Sequence, residues 1–346
     1  ALSSSATFAA VAIDNTGATI TSLANDHVEV HLTDFGGAIH DVALKKYPAE
    51  LGRPEPYIFN RLHTDPILAF AEDSFKGLDR KARFERVSVA PTEAAYRLVF
   101  ENRLEVTRRY TLHPSAGIGD PDAYVIHHET TFRNLTDQTA PLPRAVLSLG
   151  TASLVSVNDY GQYLNVAQYD GKKTVFTDRG ELEGGGPLSW VGMRDSAPRP
   201  YIEKSGSVVW AAVKNQFFAS IYTPGQPGTA VITRRIELPP LPGSERPSIG
   251  LTGAARFDLP ALAPGGTATL AGDLYLGPKE YRRLARLRNN EDKVMQFDSN
   301  WYLRVFLSGY VAPLMNTLMN WTHNWVNNWG VAIVLMTLIL KIVTLP

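Results

Sequence analysis

The 346-residue sequence contains no cysteine. That excludes disulfides, thiolate metal sites and a cysteine nucleophile, and leaves the compartment open. It also lacks net charge, with 34 basic residues against 34 acidic ones. A nucleic-acid-binding surface needs a basic excess, so the composition excludes any global electrostatic case for a nucleic-acid partner. Ala1-Leu2-Ser3-Ser4-Ser5 offers neither an initiator methionine nor a basic n-region. No signal peptide opens the sequence, which is expected to be a piece of a longer protein trimmed at both ends. Residues 1–275 lack any long apolar run of helical period.

Charge is scarce in one part only. From Ser299 to Pro346 the formally charged side chains are Arg304 and Lys341, and four of the six tryptophans, Trp301, Trp321, Trp325 and Trp329, fall there. Upstream, charges are plentiful. The sequence is bipartite, a soluble body followed by a membrane-seeking tail.

The body reads as strands. His27 to Thr33 alternates and is followed by Asp34-Phe35-Gly36-Gly37 and a second extended run, Ala38 to Leu44. Tyr96 to Phe100, Leu104 to Leu112, Ala123 to Phe132, Val208 to Tyr222, Thr229 to Leu238 and Thr267 to Leu276 follow, separated by Gly, Pro, Asn and Asp. The architecture they imply is an all-β sandwich of antiparallel strands. Gly184-Gly185-Gly186-Pro187, Pro224 to Gly228 and Pro239 to Gly243 are loops within it.

No constellation of catalytic or metal-binding residues emerges. His127 and His128 point to opposite strand faces, while His27 and His31 share a face without a third ligand. His40, His63, His113 and His323 stand apart. Asp120, Asp122 and Glu129 read as solvated carboxylates, and Arg108-Arg109 and Arg234-Arg235 as ordinary surface neighbours on alternate faces. Neither a metal nor a cofactor is expected, and no catalytic residue.

Gly277-Pro278 ends the last strand and presets a connector helix, with Tyr281, Leu284, Ala285 and Arg288 at helical spacing. From Asn300 to Met319, Leu303, Leu307, Tyr310, Leu314 and Leu318 form an apolar stripe, with Arg304, Ser308, Asn316 and Asn320 off it. That is an amphipathic helix, weakened near Gly309 and Pro313. Its tryptophans suit a membrane interface; a core helix of the body is the alternative.

The closing stretch, Asn328-Trp329-Gly330 to Pro346, is apolar from Val331 to Leu340 except for Thr337, and then carries Lys341. Gly330 to Leu345 is sixteen residues, short of the roughly 20 of a spanning helix. Lys341 follows Trp329 by twelve residues, roughly 18 Å along a helix. If Trp329 marks the outer interface, that depth is past the midplane of a hydrocarbon core about 30 Å thick. Thr337 and Lys341, four apart, share one helix face, which suits a water-containing groove better than lipid. The plainer alternative is a lysine ending the segment and snorkelling to the surface.

Four separated segments resemble the bacterial YidC membrane-protein insertases of the Gram-negative type. Val28 to Val42 is similar to the family's first strand pair with its glycine turn, and Val209 to Phe218 to its W-x-x-V-K-N-x-F/Y-F segment. Leu274 to Tyr281 resembles its Y-x-G-P-K-x-Y exit segment, and Asn328-Trp329-Gly330 with the helix after it resembles its second transmembrane helix. Each is weak alone; their order and spacing are specific.

The resemblance implies a mainly β fold. Residues 1–277 would be a periplasmic β-supersandwich similar in fold to galactose mutarotases, 278–298 a connector helix, 299–327 an amphipathic interfacial helix and 328–346 an incomplete transmembrane helix. It implies an inner-membrane location with residues 1 to about 298 in the periplasm, and no enzyme activity. By position Lys341 becomes the basic residue lining a hydrophilic intramembrane groove, where the family often has arginine, and Thr337 a polar position beside it. Trp301, Trp321, Trp325 and Trp329 become interface anchors. The implied partners are nascent membrane proteins, the lipid bilayer and the Sec translocon, SecYEG with SecD/SecF. A mutarotase-like carbohydrate-binding or carbohydrate-converting protein and a periplasmic docking module for translocon partners are the alternatives.

Overall fold

Every strand pairing among the described residues is antiparallel, and clear in-and-out alternation appears where one strand face meets solvent. The computed structural model describes residues 16–50, 52–61, 65–71, 75, 77–113, 121–184, 198–297 and 308–344. Of the residues singled out above, His63, Asp120, Gly185, Gly186, Pro187, Trp301, Leu303, Arg304 and Leu307, with the side chains of Asp122, Ser308 and Tyr310, lie outside them. The chain divides into two compact units, Ala1–Lys279 and Glu280–Pro346.

The first unit is built from three sheets. One, in spatial order, is β1 (Ile20–Ala24), β2 (Val28–Thr33), β3 (Ala38–Pro48) and β4 (Pro56–Phe59). The second has nine strands. Its order is β11 (Thr174–Asp178), β10 (Asn165–Tyr169), β13 (Trp210–Lys214), β14 (Phe218–Pro224), β17 (Thr267–Pro278), β8 (Val125–Asn134), β7 (Leu104–Leu112), β6 (Glu93–Phe100) and β5 (Glu85–Ala90). The third runs β12 (Ile202–Val208), β15 (Gly228–Leu238), β16 (Ser248–Phe257), β9 (Ala145–Ser153). One short helix, α1 (Arg179–Leu182), follows β11, with the Asp178 side chain capping Glu181 N–H. The expected mainly β fold is the one observed.

β8 shows how the pattern makes the core. Ile126, His128, Thr130, Phe132 and Asn134 point in, while His127, Glu129, Thr131 and Arg133 are at least partly exposed. The second and third sheets pack face to face through buried side chains such as Val166, Val213 and Leu251. At Gly253 on β16 an added Cβ would lie 2.6 Å from Val213 on β13, so only glycine permits that approach.

One polar cluster links β2 and β3. The Asp41 carboxylate faces His31 Nδ1 at 2.5 Å and His40 Nδ1 at 2.6 Å. Burial works to raise the Asp41 carboxyl, but the hydrogen bonds from His31 and His40 outweigh it and hold it below the usual value. The hydrogen bond to Asp41 raises His31 against the opposing effect of burial, with Glu29 adding attraction. The carboxylate's contribution to stability is present above about pH 4 and lost as pH falls toward the depressed folded value. The imidazolium's contribution is complete below about pH 6.5 and lost as pH rises through the raised folded value. Asp41→Asn is therefore expected to destabilise the fold most near pH 5.5, by about 1.5–3 kcal/mol, and less at pH 3 and pH 9, read as the shift in melting temperature at each pH. A penalty that does not change with pH contradicts the assignment.

The second unit begins with α2 (Tyr281–Leu284) and a separate 3-10 turn, Glu291–Met295. Asn290 (φ 59°) and Gln296 (φ 66°) flank that turn in the left-handed region, so the described part of the connector, from Tyr281 to Gln296, is not one continuous helix. α3 (Ser308–Val326) and α4 (Trp329–Thr344) then pack on each other. Asn327, at φ 50°, ends α3 with its N–H on His323 O at 2.6 Å. The Asn328 side chain accepts from Gly330 and Val331 N–H at 2.9 and 3.2 Å and starts α4.

Candidate functional site

Along α4, Ala332 is buried and Leu335, Met336, Ile339 and Leu340 are half-buried, whereas Val334, Thr337, Leu338 and Lys341 are exposed. At about 100° per residue the first set forms the side packed toward α3, and the second lies opposite. Thr337 and Lys341 thus share the face turned away from α3. The Thr337 hydroxyl donates to Ile333 O at 2.8 Å, within its own helix. An ammonium donor and a hydroxyl acceptor one turn apart, on an exposed face whose other members are apolar, can receive the polar groups of a peptide segment.

α4 has sixteen residues, about 24 Å at 1.5 Å per residue. No helix among the described residues is long and apolar enough to cross a membrane.

Trp321, Trp325 and Trp329 are all exposed. The rings of Trp321 and Trp325 stack at 6.1 Å, and that of Trp329 stacks on His323 at 3.8 Å. Indoles gathered at the joint of two apolar helices give an amphipathic rim, apolar in body and polar at the N–H. Trp301 lies outside the described residues.

Within the first unit the structure corrects the reading of Arg108. Arg109 is exposed and pairs with Glu93 at 3.2 Å, but Arg108 is fully buried. Its guanidinium donates to Gly36 O at 2.6 Å, to Leu68 O and to Thr130 Oγ1 at 3.2 Å. It lies 4.9 Å from the Phe70 ring centre. Both carbonyls come from turns: Gly36 sits at φ 68° and Leu68 at φ 65°. Tyr110 adds a hydrogen bond to Gly37 O at 2.7 Å. Burial, then the Arg108 charge, keeps His128 well below the usual imidazole value, so it is neutral, and Tyr222 OH lies 3.3 Å from its Nδ1. These groups are hydrogen-bonded to the protein itself and anchor the β2–β3 turn over β7 and β8. Strand periodicity placed Arg108 and Arg109 on opposite faces, but the buried acceptors come from turns distant in sequence.

A second convergence went unrecognised in the sequence. Lys214 and Asn215, in the V-K-N segment, and Lys279, in the G-P-K segment, come together at one end of the sandwich. Asn215 Oδ1 accepts from Phe217 and Phe218 N–H at 3.0 and 2.9 Å, and its Nδ2 donates to Tyr57 OH at 2.9 Å. Phe218 stacks on Tyr57 at 4.2 Å. The ammonium groups of Lys214 and Lys279 lie 5.8 and 5.3 Å from the Tyr163 ring centre. Burial pushes Lys214 well below its usual value, with the Lys279 charge adding, and brings Lys279 down to about 8 against the pull of Asp159. Among the described residues no group of three or more His, Cys, Asp or Glu side chains is arranged to hold a metal ion.

The model of the YidC periplasmic domain matches residues 20–308. The chain is 22% identical over 339 residues to the membrane protein insertase YidC of Chlorobaculum parvum, covering 94% of this chain and 52% of that protein. It is 22% identical over 337 residues to that of Prosthecochloris aestuarii, covering 93% and 52%. The chain spans about half the length of these relatives. Among solved structures it is similar to a putative aldose 1-epimerase from Escherichia coli, with 14% identity, a TM-score of 0.45, and 76% and 100% of the two chains covered. It is likewise similar to a galactose mutarotase related enzyme from Lactobacillus acidophilus, with 8% identity, a TM-score of 0.47, and 75% and 97% covered.

Proposed function

The chain belongs to the YidC family, matched through its periplasmic domain, and from that premise we propose that it is part of an inner-membrane protein insertase. Residues 1–277 form the periplasmic domain, 278–298 the connector, 299–327 an interfacial helix, and 328–346 the first stretch of a membrane-crossing helix. The observation that carries this reading is the position of Thr337 and Lys341, side by side on the apolar helix and turned away from its neighbour α3.

In the proposed mechanism the Lys341 ammonium and the Thr337 hydroxyl line a hydrophilic groove. Carboxylates and backbone carbonyls of an incoming segment exchange water for the ammonium, and its N–H groups for the Thr337 hydroxyl oxygen, while the segment's apolar part moves directly into lipid. The groove lowers the cost of bringing polar groups to membrane depth, where each unsatisfied one costs several kcal/mol. Trp321, Trp325 and Trp329, with Trp301, hold the helices at headgroup level. The partners are nascent membrane proteins, the bilayer and, for substrates passed on by it, the Sec translocon.

The reading is tested by reconstituting the full-length protein in vesicles and measuring protease protection of a newly synthesised small membrane protein with a charged translocated segment. Protection well above that of empty vesicles is expected; equality with empty vesicles refutes it.

A further inference from the structure

The end of the sandwich that holds Lys214 and Lys279 also presents large side chains to solvent. Tyr160 is 97% exposed, Phe217 53% and Val157 52%, with Tyr163 beside them. They do not hang on a slack loop. Asp159 accepts from Gly161 N–H at 2.9 Å and Val155 N–H at 3.2 Å, and Leu164 N–H closes on Gly161 O at 3.1 Å. Phe217 is fixed by Asn215 on one side, and its carbonyl accepts from Lys279 N–H at 2.7 Å. Lys279 is the residue through which the chain leaves the first unit.

We propose that Val157, Tyr160, Tyr163 and Phe217, with the part-exposed Lys279 beside them, form a contact of the sandwich with the lipid headgroup layer. Tyrosine, phenylalanine and lysine together are the mixture that settles at such an interface: rings enter the acyl boundary and the Lys279 ammonium meets phosphates, while the buried Lys214 stays inside the sandwich. A bilayer is the occupant because the patch surrounds the residue from which the chain continues into the tryptophan-bearing apolar helices. The tether to those helices begins at Lys279, within this patch. The contact rests on the membrane reading of α4 given above. Its consequence is a sandwich held at the membrane by two attachments, the helices and this patch.

The absence of cysteine makes a single introduced thiol unique. Tyr160→Cys, Phe217→Cys, Leu338→Cys on α4 and Val87→Cys on the exposed edge strand β5 are each spin-labelled in the chain. The labelled chains are reconstituted in vesicles of phosphatidylethanolamine and phosphatidylglycerol, and collision with oxygen and with a water-soluble nickel chelate is measured. The expected result is nickel collision several-fold lower at 160 and 217 than at 87, with 338 fully shielded. Nickel access at 160 and 217 equal to that at 87, with 338 shielded, overturns the patch and leaves the membrane reading standing. Access at 338 as well overturns both. Spin–spin broadening at 160 without shielding by lipid assigns the patch to a second copy of the chain and overturns the lipid contact.

Discussion

Lys341→Ala in the full-length protein is expected to reduce insertion of substrates with charged translocated segments roughly tenfold to a hundredfold. The estimate follows from losing a hydrogen bond to a charged group, about 1.5–3 kcal/mol, where 1.4 kcal/mol is a factor of about ten. Substrates whose translocated segments are short and apolar should be nearly unaffected, since they present few groups for the ammonium to receive. Lys341→Arg keeps the charge and should restore most of the activity; its fork geometry differs but its donors reach the same acceptors. Lys341→Glu reverses the charge and should be worse than alanine. The readout is the protease-protected fraction of each substrate. Full insertion of charged substrates by the alanine variant would remove Lys341 from the mechanism. A lysine that merely snorkels from the end of the hydrophobic stretch would give that result, because its loss changes anchoring and not substrate passage.

Arg108→Leu is expected to destabilise the first unit by about 3–5 kcal/mol, among the largest effects of any single substitution in it. Leucine approximates the stem but leaves Gly36 O and Leu68 O buried without donors, each costing about 1–3 kcal/mol. Arg108→Lys should recover little, because one ammonium on a flexible stem cannot serve two carbonyls and Thr130 in the positions the guanidinium spans. Arg109→Leu, one residue along and on the exposed face, is the control. It removes only an exposed ion pair with Glu93, worth about 0–1 kcal/mol. Urea denaturation of the three variants measures the contrast directly. Near-equal midpoints for Arg108→Leu and Arg109→Leu would mean that the β2–β3 turn does not depend on the buried guanidinium.

The contrast between these two arginines also shows how far the sequence was legible. Period-two alternation was readable wherever one strand face meets solvent, as on β7 and β8. It failed for β9 and β16, which are buried on nearly every residue. Their Ala, Gly, Ser and Thr residues carry no alternation, since both faces lie within the protein. The run Val208 to Tyr222 has the composition of one extended segment, yet it contains the end of β12, β13, a turn and most of β14. The turn is made by the Asn215 side chain, a local hydrogen-bonding choice that hydropathy does not register. The helices of the tail were legible because their apolar content is continuous and their charges so few. The face on which Thr337 and Lys341 lie relative to α3 was not, because periodicity puts them together without saying what packs opposite. The cluster of Lys214, Asn215 and Lys279 was invisible for a similar reason: 65 residues separate Lys214 from Lys279, and only the pairing of β14 with both β13 and β17 brings them together.

The central claim is that the exposed polar face of α4 receives the inserting chain. A photo-crosslinking amino acid placed at position 341, at 337 and, on the opposite face, at 332 of the full-length protein tests it during insertion of a stalled nascent membrane protein. Adducts to the nascent chain at 341 and 337 but not at 332 are predicted. Adducts at 332 with none at 341 or 337, or no adducts to the nascent chain at any of the three, would contradict the account.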